Sequence, residues 1–215
     1  MAEAPKTIYL IRHGHSEGQA AKQKGLDRRS HASLVDCGLT RSGIQQACDI
    51  GSLLQRMNGG TLPPIELVIS SPLTRAVQTA ILGFQRYCSP PPPFLIHYGL
   101  REIGSSLPEN VPRGDIDSVM RYIQERHILA NELQIDSISL RPPHWPLQQL
   151  DSQHTSKAER IRLIFSWIAT ERPEQNIAVV CHYNVIRSAL GSDARPKNAL
   201  PIRCQLSSDG TLEPC

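Results

Sequence analysis

This chain lacks most of the features that would classify a protein at a glance. It has no large excess of either charge: 23 Lys and Arg face 20 Asp and Glu, a formal net charge of +3. Bulk electrostatics therefore give no reason to expect a nucleic-acid partner. No run is long and apolar enough to span a bilayer, so no membrane partner is expected. The opening residues, Met1-Ala2-Glu3-Ala4-Pro5-Lys6, lack the apolar stretch of a secretory signal. The six cysteines, at 37, 48, 88, 181, 204 and 215, form no Cys-x-x-Cys pair. That spacing argues against a zinc site or a disulfide framework and for reduced thiols in a cytoplasmic protein. There is also no internal repeat. The 215 residues are enough for one full core, and one domain over residues 1–215 is the expectation.

What the chain does have is chemistry at the ends of short apolar strands. Ile8-Tyr9-Leu10-Ile11 runs directly into Arg12-His13-Gly14. The C-terminal end of a strand in an open α/β sheet is where ligands usually bind. Arg12 brings a planar fork of donors that fits phosphate or carboxylate oxygens. His13 can act as a nucleophile or carry a proton near neutral pH. Gly14 lets the backbone approach a ligand without a Cβ in the way. Leu67-Val68-Ile69 leads into Ser70-Ser71-Pro72-Leu73-Thr74-Arg75, where Ser71 fits an N-cap and Pro72 the first helical position. Arg75 then falls in a first turn, which already favours anions. Ile177 to Cys181 ends at His182, and Phe94-Leu95-Ile96-His97 precedes Leu100-Arg101-Glu102. Charged groups gathered at four strand ends are costly unless solvated or paired, so core packing does not explain them.

The remaining pattern alternates strand with helix and favours the α/β class. Ile44, Ala47, Ile50, Leu54 and Met57 recur at helical spacing, predicting one helix over 40–57 that Thr40 caps and Gly59-Gly60 end. A second helix is expected over 72–84, and a third over 115–134 with His127 on its stripe. Ser89 to Pro93 reads as a stiff spacer. Residues 140–154 read as a loop, equally suited to roofing a pocket or crossing the surface. Ser156-Lys157-Ala158-Glu159 is a capping box. Asn184 is placed to cap a short helix ending at Leu190, and Pro201 to Leu206 fits a final edge strand.

Taken together, these blocks resemble the histidine phosphatase superfamily, also called phosphoglycerate mutase-like. Leu10 to Ser16 is similar to its N-terminal signature, Asp36 to Ala47 to its second block and Ser70 to Ala80 to its third. Leu100-Arg101-Glu102 resembles its acid-bearing block, and Val179 to His182 with Val185-Ile186-Arg187 its last. The resemblance implies a three-layer α/β/α sandwich with a mainly parallel central sheet. It implies a phosphohistidine on His13, a proton donor at Glu102, and phosphate contacts from Arg12, Arg75 and His182. Gly14, Ser16, Gln19 and Tyr183 fall at its substrate-binding positions. A neutral His13 needs a proton acceptor at its other ring nitrogen, and a backbone carbonyl near Gly14 is the candidate. The chain departs from the family pattern at Gln19, where Asn is common, and at Tyr183, where Gly is common, and it lacks the Trp common in the first block of true mutases, with Gly18 nearby instead. These departures favour a phosphatase acting on a small phosphorylated metabolite over a mutase. The intact pocket set argues against a catalytically silent phosphate-binding scaffold.

Other constellations carry less. His13 and His15 with His182 suggest a metal trio, but Arg12 alongside would repel a cation, so no metal and no cofactor are expected. Cys181 cannot serve His182 as a partner thiol, because adjacent strand residues point to opposite faces. Glu17 is the second candidate acid. Lys22, Lys24, Arg28 and Arg29 form a basic run that is either a solvated loop or a contact for a second anionic group on the substrate. Arg101 with Arg113 makes the same case with less force.

Overall fold

Strand β1, Lys6–Arg12, is buried on both faces along its apolar centre. A strand alternates its side chains, and β1 feeds two cores in turn. Ile8 and Leu10 pack into one cluster, Tyr9 and Ile11 into the other. Such two-sided burial is what a parallel sheet covered by helices on both faces requires. The computed structural model describes residues 5–29, 31–103, 107–125 and 156–215.

Beside β1 lie β2 (Leu67–Ser70), β3 (Phe94–Ile96), β4 (Asn176–Cys181), β5 (Pro201–Leu206) and β6 (Leu212–Pro214). The sheet order is β3-β2-β4-β1-β5-β6. The first four strands pair in parallel, while β5 runs antiparallel to β1 and β6 antiparallel to β5. The helices are α1 (Glu17–Gln23), α2 (Arg41–Cys48), α3 (Ile50–Met57), α4 (Thr74–Phe84), α5 (Ile116–Glu125), α6 (Lys157–Glu171) and α7 (Tyr183–Leu190). Ile164, Phe165 and Ile168 of α6 and Val185 and Ile186 of α7 cover one face. Ile50 and Leu54 of α3 and Ala76, Ala80 and Phe84 of α4 cover the other. The result is the three-layer α/β/α arrangement expected, with a mainly parallel sheet.

Several local expectations change. The single helix over 40–57 is two, because the chain bends at Asp49, which ends α2 and begins α3. Thr40 caps α2 as expected, accepting from the Gly43 N–H. The helix carrying Arg75 begins at Thr74, not Pro72, and Leu73 offers it no side-chain cap. The cap comes from far away: the Asp36 carboxylate accepts from the Thr74 N–H at 2.9 Å and its hydroxyl at 2.8 Å. Asn184 does not cap α7, which starts one residue earlier and has His182 in the N-cap position. Strand β5 is not at the edge, because β6 pairs outside it. Ser156 does accept from the Glu159 N–H. His127, the end of the 115–134 helix and the 140–154 loop lie outside the described residues. All six cysteines are free. Among the described residues no helix is long and apolar enough to cross a membrane.

Candidate active site

The C-terminal ends of β1, β2 and β4 converge on one point. His13 follows β1 and is 4% exposed, its N–H donating to the Cys181 carbonyl at the end of β4. His182 follows β4 and is fully buried, with its ring 5.2 Å from that of His13. Arg75, in the first turn of α4, is 3% exposed and reaches between them. Its Nε donates to His13 Nε2 at 3.3 Å, and its Nη2 lies 3.4 Å from His182 Nδ1.

These contacts assign the tautomers. His13 Nδ1 lies 2.7 Å from the Gly14 carbonyl, which can only accept, so Nδ1 carries the proton. Nε2 then presents a lone pair, as the bond from Arg75 requires. Burial, reinforced by the Arg75 charge, holds the His13 pKa well below its usual value, so the ring is neutral at physiological pH. For His182, Arg75 can only donate, so Nδ1 accepts and Nε2–H donates to the Ser71 hydroxyl at 2.8 Å. Burial lowers its pKa as well.

The backbone carbonyl that His13 needs is therefore that of Gly14 itself. The glycine is required for packing: a Cβ there would stand 2.5 Å from the Gly43 carbonyl oxygen. Gly14 does not line the cavity above the site. Its N–H instead donates to the Thr79 hydroxyl, which in turn bonds the Arg75 carbonyl on α4.

That cavity, of about 540 Å³, is lined by Arg12, His13, Ser16, Gln19, Arg75, Glu102 and Tyr183, among others. It thus brings together most of the residues singled out from the sequence. Arg12 is held by the Pro196 carbonyl at 3.1 Å and by the Tyr183 ring, whose centroid is 5.0 Å from the guanidinium carbon. The ring that departs from the family pattern thus braces an arginine of the cavity wall. Ser16 caps α1, and Gln19 closes the reciprocal bond of a capping box. The Gln19 amide also pairs with Asn198, whose side chain holds the His13 carbonyl at 2.7 Å. Glu102 Oε1 accepts from the Ile103 and Asn184 N–H groups. Burial raises its pKa against the pull of these bonds and of Arg75 and Arg12. Glu17 is not among the lining residues. His15 turns away, its Nδ1 on the Thr40 hydroxyl at 3.0 Å.

Of the basic run, Lys22 and Arg28 reach the cavity wall, while Lys24 and Arg29 do not. Arg28 is paired with Glu109 at 2.8 Å. Leu107, Glu109 and Asn110 also line the cavity, and nothing in their sequence marks them. Asn198 was equally unmarked: it sits 185 positions from the histidine whose carbonyl it holds. Asn184 was read only as a cap, although its neighbours His182 and Tyr183 signalled the site.

As a chemical device, the site is a buried, cation-lined cradle around an unprotonated imidazole nitrogen, with a carboxyl whose pKa burial raises. It is suited to a tetrahedral oxyanion.

A family model described as histidine phosphatase superfamily (branch 1) matches residues 8–206. A 2,3-bisphosphoglycerate-dependent phosphoglycerate mutase from Chlamydia muridarum is 31% identical over 90 residues, 42% of this chain and 34% of that protein. The match thus spans about a third of that curated relative's length. The alpha-ribazole phosphatase from Shigella flexneri has a TM-score of 0.58 at 20% identity, covering 97% of this chain and 94% of its own. A phosphoglycerate mutase from Bacillus anthracis has a TM-score of 0.61 at 16% identity, covering 100% of this chain and 93% of its own. At such identities the structural likeness speaks for the fold, and both phosphatases and mutases are found among the proteins that share it.

Proposed function

The chain belongs to the histidine phosphatase superfamily, and from that premise we propose that it is a phosphomonoester hydrolase working through a phosphohistidine on His13, with a small phosphorylated metabolite as substrate. One observation carries this reading. The only proton on the His13 ring is anchored on the Gly14 carbonyl, and the free Nε2 lies against Arg75. A neutral, oriented imidazole nitrogen among fixed cations is what attack on a phosphoryl group needs, since such transfer is mostly positioning and charge stabilisation.

In the first step Nε2 forms a bond to phosphorus as the ester P–O bond breaks. Arg12, Arg75 and His182 hold the equatorial oxygens. His182 must present a proton at Nδ1 to do so, which the charge of the arriving phosphate favours. Glu102 gives its proton to the leaving oxygen. In the second step the Glu102 carboxylate takes a proton from water, the water oxygen bonds to phosphorus, and the P–N bond breaks. Two moderate barriers replace one high one.

Turnover with a panel of phosphorylated metabolites, followed by phosphate release, tests the reading. His13→Ala is expected to abolish release while leaving the fold intact, and quenched wild type is expected to carry acid-labile, base-stable phosphate. Near-normal activity in His13→Ala rules out the mechanism. Isomerised substrate without phosphate release identifies a mutase instead.

A further inference from the structure

Arg75 uses two different edges of its guanidinium. Its side edge, Nε and Nη2, faces His13 Nε2 and His182 Nδ1. Its end edge, Nη1 and Nη2, faces the segment 107–110: Nη1 donates to the Glu109 carbonyl and Nη2 to Asn110 Oδ1 at 2.8 Å. Two acceptors on the end edge fix the plane and the rotation of the fork. The side edge is left aimed at the space between the two histidines.

The segment that supplies those acceptors is itself pinned. Asp36 is fully buried, and its N–H donates to the Pro108 carbonyl at 3.1 Å. Its Oδ2 accepts from the Arg113 N–H at 3.0 Å, while the same carboxylate caps α4 through Thr74. Arg113 Nη2 bonds the Val35 carbonyl, and Arg28 ties down the Glu109 carboxylate. One buried aspartate therefore joins the start of the helix carrying Arg75, through its carboxylate, to the segment that grips its guanidinium, through its N–H. Asp36 takes a φ of 43° to do this, a region that costs a non-glycine residue energy and that Asp tolerates better than most.

We propose that Asn110 is a positioning residue that acts through Arg75, holding the fork's end edge so that its side edge meets the phosphate. The inference rests on the reading of the site as a phosphate cradle. It runs against the alternative that residues 107–110 are a plug occupying Arg75 until substrate displaces them. The two make opposite forecasts. Loss of a positioning acceptor weakens phosphate binding; loss of a plug strengthens it.

The test measures inorganic phosphate binding by titration calorimetry and turnover of p-nitrophenyl phosphate. Wild type, Asn110→Leu, Asn110→Ser and Asn110→Asp are compared, alone and in an Arg75→Ala background. A hydrogen bond to a charged group accounts for roughly ten- to hundredfold in an equilibrium constant. Asn110→Leu is expected to weaken phosphate binding by about tenfold or more and to lower kcat. Asn110→Ser, too short to reach, is expected to do the same. Asn110→Asp, which keeps the acceptor, is expected to recover most of the loss. In Arg75→Ala the Asn110 substitutions are expected to change nothing further, the mark of a residue acting through another. An equal loss in both backgrounds, or tighter phosphate binding in Asn110→Leu, overturns the proposal. If wild type binds phosphate with this pattern but releases none from esters, the hydrolase reading fails and the positioning role stands. If wild type binds no phosphate, both fall.

Discussion

At the scale of single residues, His13 and Glu102 make opposite demands on one pocket. In the proposed mechanism the nucleophile must be unprotonated and the acid protonated at the same pH. Burial moves both in the needed direction, because it disfavours the charged form of each: it lowers the histidine and raises the carboxyl. The sign of the pH dependence follows. Acidification leaves His13 competent until well below its usual value, whereas a rise in pH through the elevated Glu102 value removes the acid. For alkyl phosphates, kcat/KM is therefore expected to be highest on the acidic side and to fall as pH rises. Glu102→Gln is expected to remove that limb and to cost about 10² to 10⁴-fold on alkyl phosphates. On p-nitrophenyl phosphate, whose leaving oxygen needs no proton, the loss is expected to be far smaller. Equal losses on both substrates would move the acid role elsewhere. These residues were legible in the sequence because their types are out of place at strand ends. Asn110, Asn198 and Asp36 were not. They are ordinary loop polars whose roles arise only when segments distant in sequence meet, as Asp36 meets Thr74 across 38 positions.

At the scale of elements, the same limit explains where boundaries moved. Ser71 and Pro72 carry the local signals of a helix start. The start lies at Thr74 because a remote carboxylate caps it there, while the Ser71 hydroxyl accepts a hydrogen bond from His182 Nε2–H. The basic run after α1 divides similarly. Its charge was visible in sequence, but only Lys22 and Arg28 face the cavity, and Arg28 is neutralised by Glu109. Lys22 is exposed, so a second anionic group on the substrate would gain a screened contact worth at most about 1 kcal/mol. Lys22→Gln is expected to raise KM for such substrates by about two- to fivefold, with kcat unchanged, the sign of lost uniform binding. The effect is expected to fade with added salt, since screening sets in over about 10 Å at 0.1 M. Lys24→Gln is expected to leave KM unchanged. Steady-state kinetics at two ionic strengths read both, and an equal response from the two lysines would return the run to a solvated surface.

At the scale of the whole molecule, the parallel core could be read from apolar strands alternating with helices. The place of β5 could not: it lies beside β1 from the opposite end of the sequence, a nonlocal pairing that the local pattern does not encode. Among the described residues the folded structure also buries His13, His97 and His182 together with that core, and this has a global consequence. His97 follows β3, accepts from the Gly99 N–H at 3.1 Å and packs at a tilt with its ring 5.1 Å from the Trp167 ring. Burial lowers its pKa from 6.5 to about 4. Between those values the unfolded chain binds a proton that the folded chain refuses, so stability is present above 6.5 and is lost as pH falls toward 4. The difference corresponds to roughly 3 kcal/mol for this one group, a large part of the ~5–15 kcal/mol of a typical domain. His13 and His182 shift in the same direction and add to it. Urea unfolding midpoints are therefore expected to drop steeply between pH 6.5 and 4.5. His97→Asn, whose side-chain oxygen can still accept from Gly99, leaves a gap against Trp167. It is expected to be less stable at pH 7 but to lose less on acidification. A variant whose midpoint falls with pH as steeply as that of the wild type would show that His97 takes up its proton equally in the folded and unfolded chain, and the acid sensitivity would then have to come from His13 and His182.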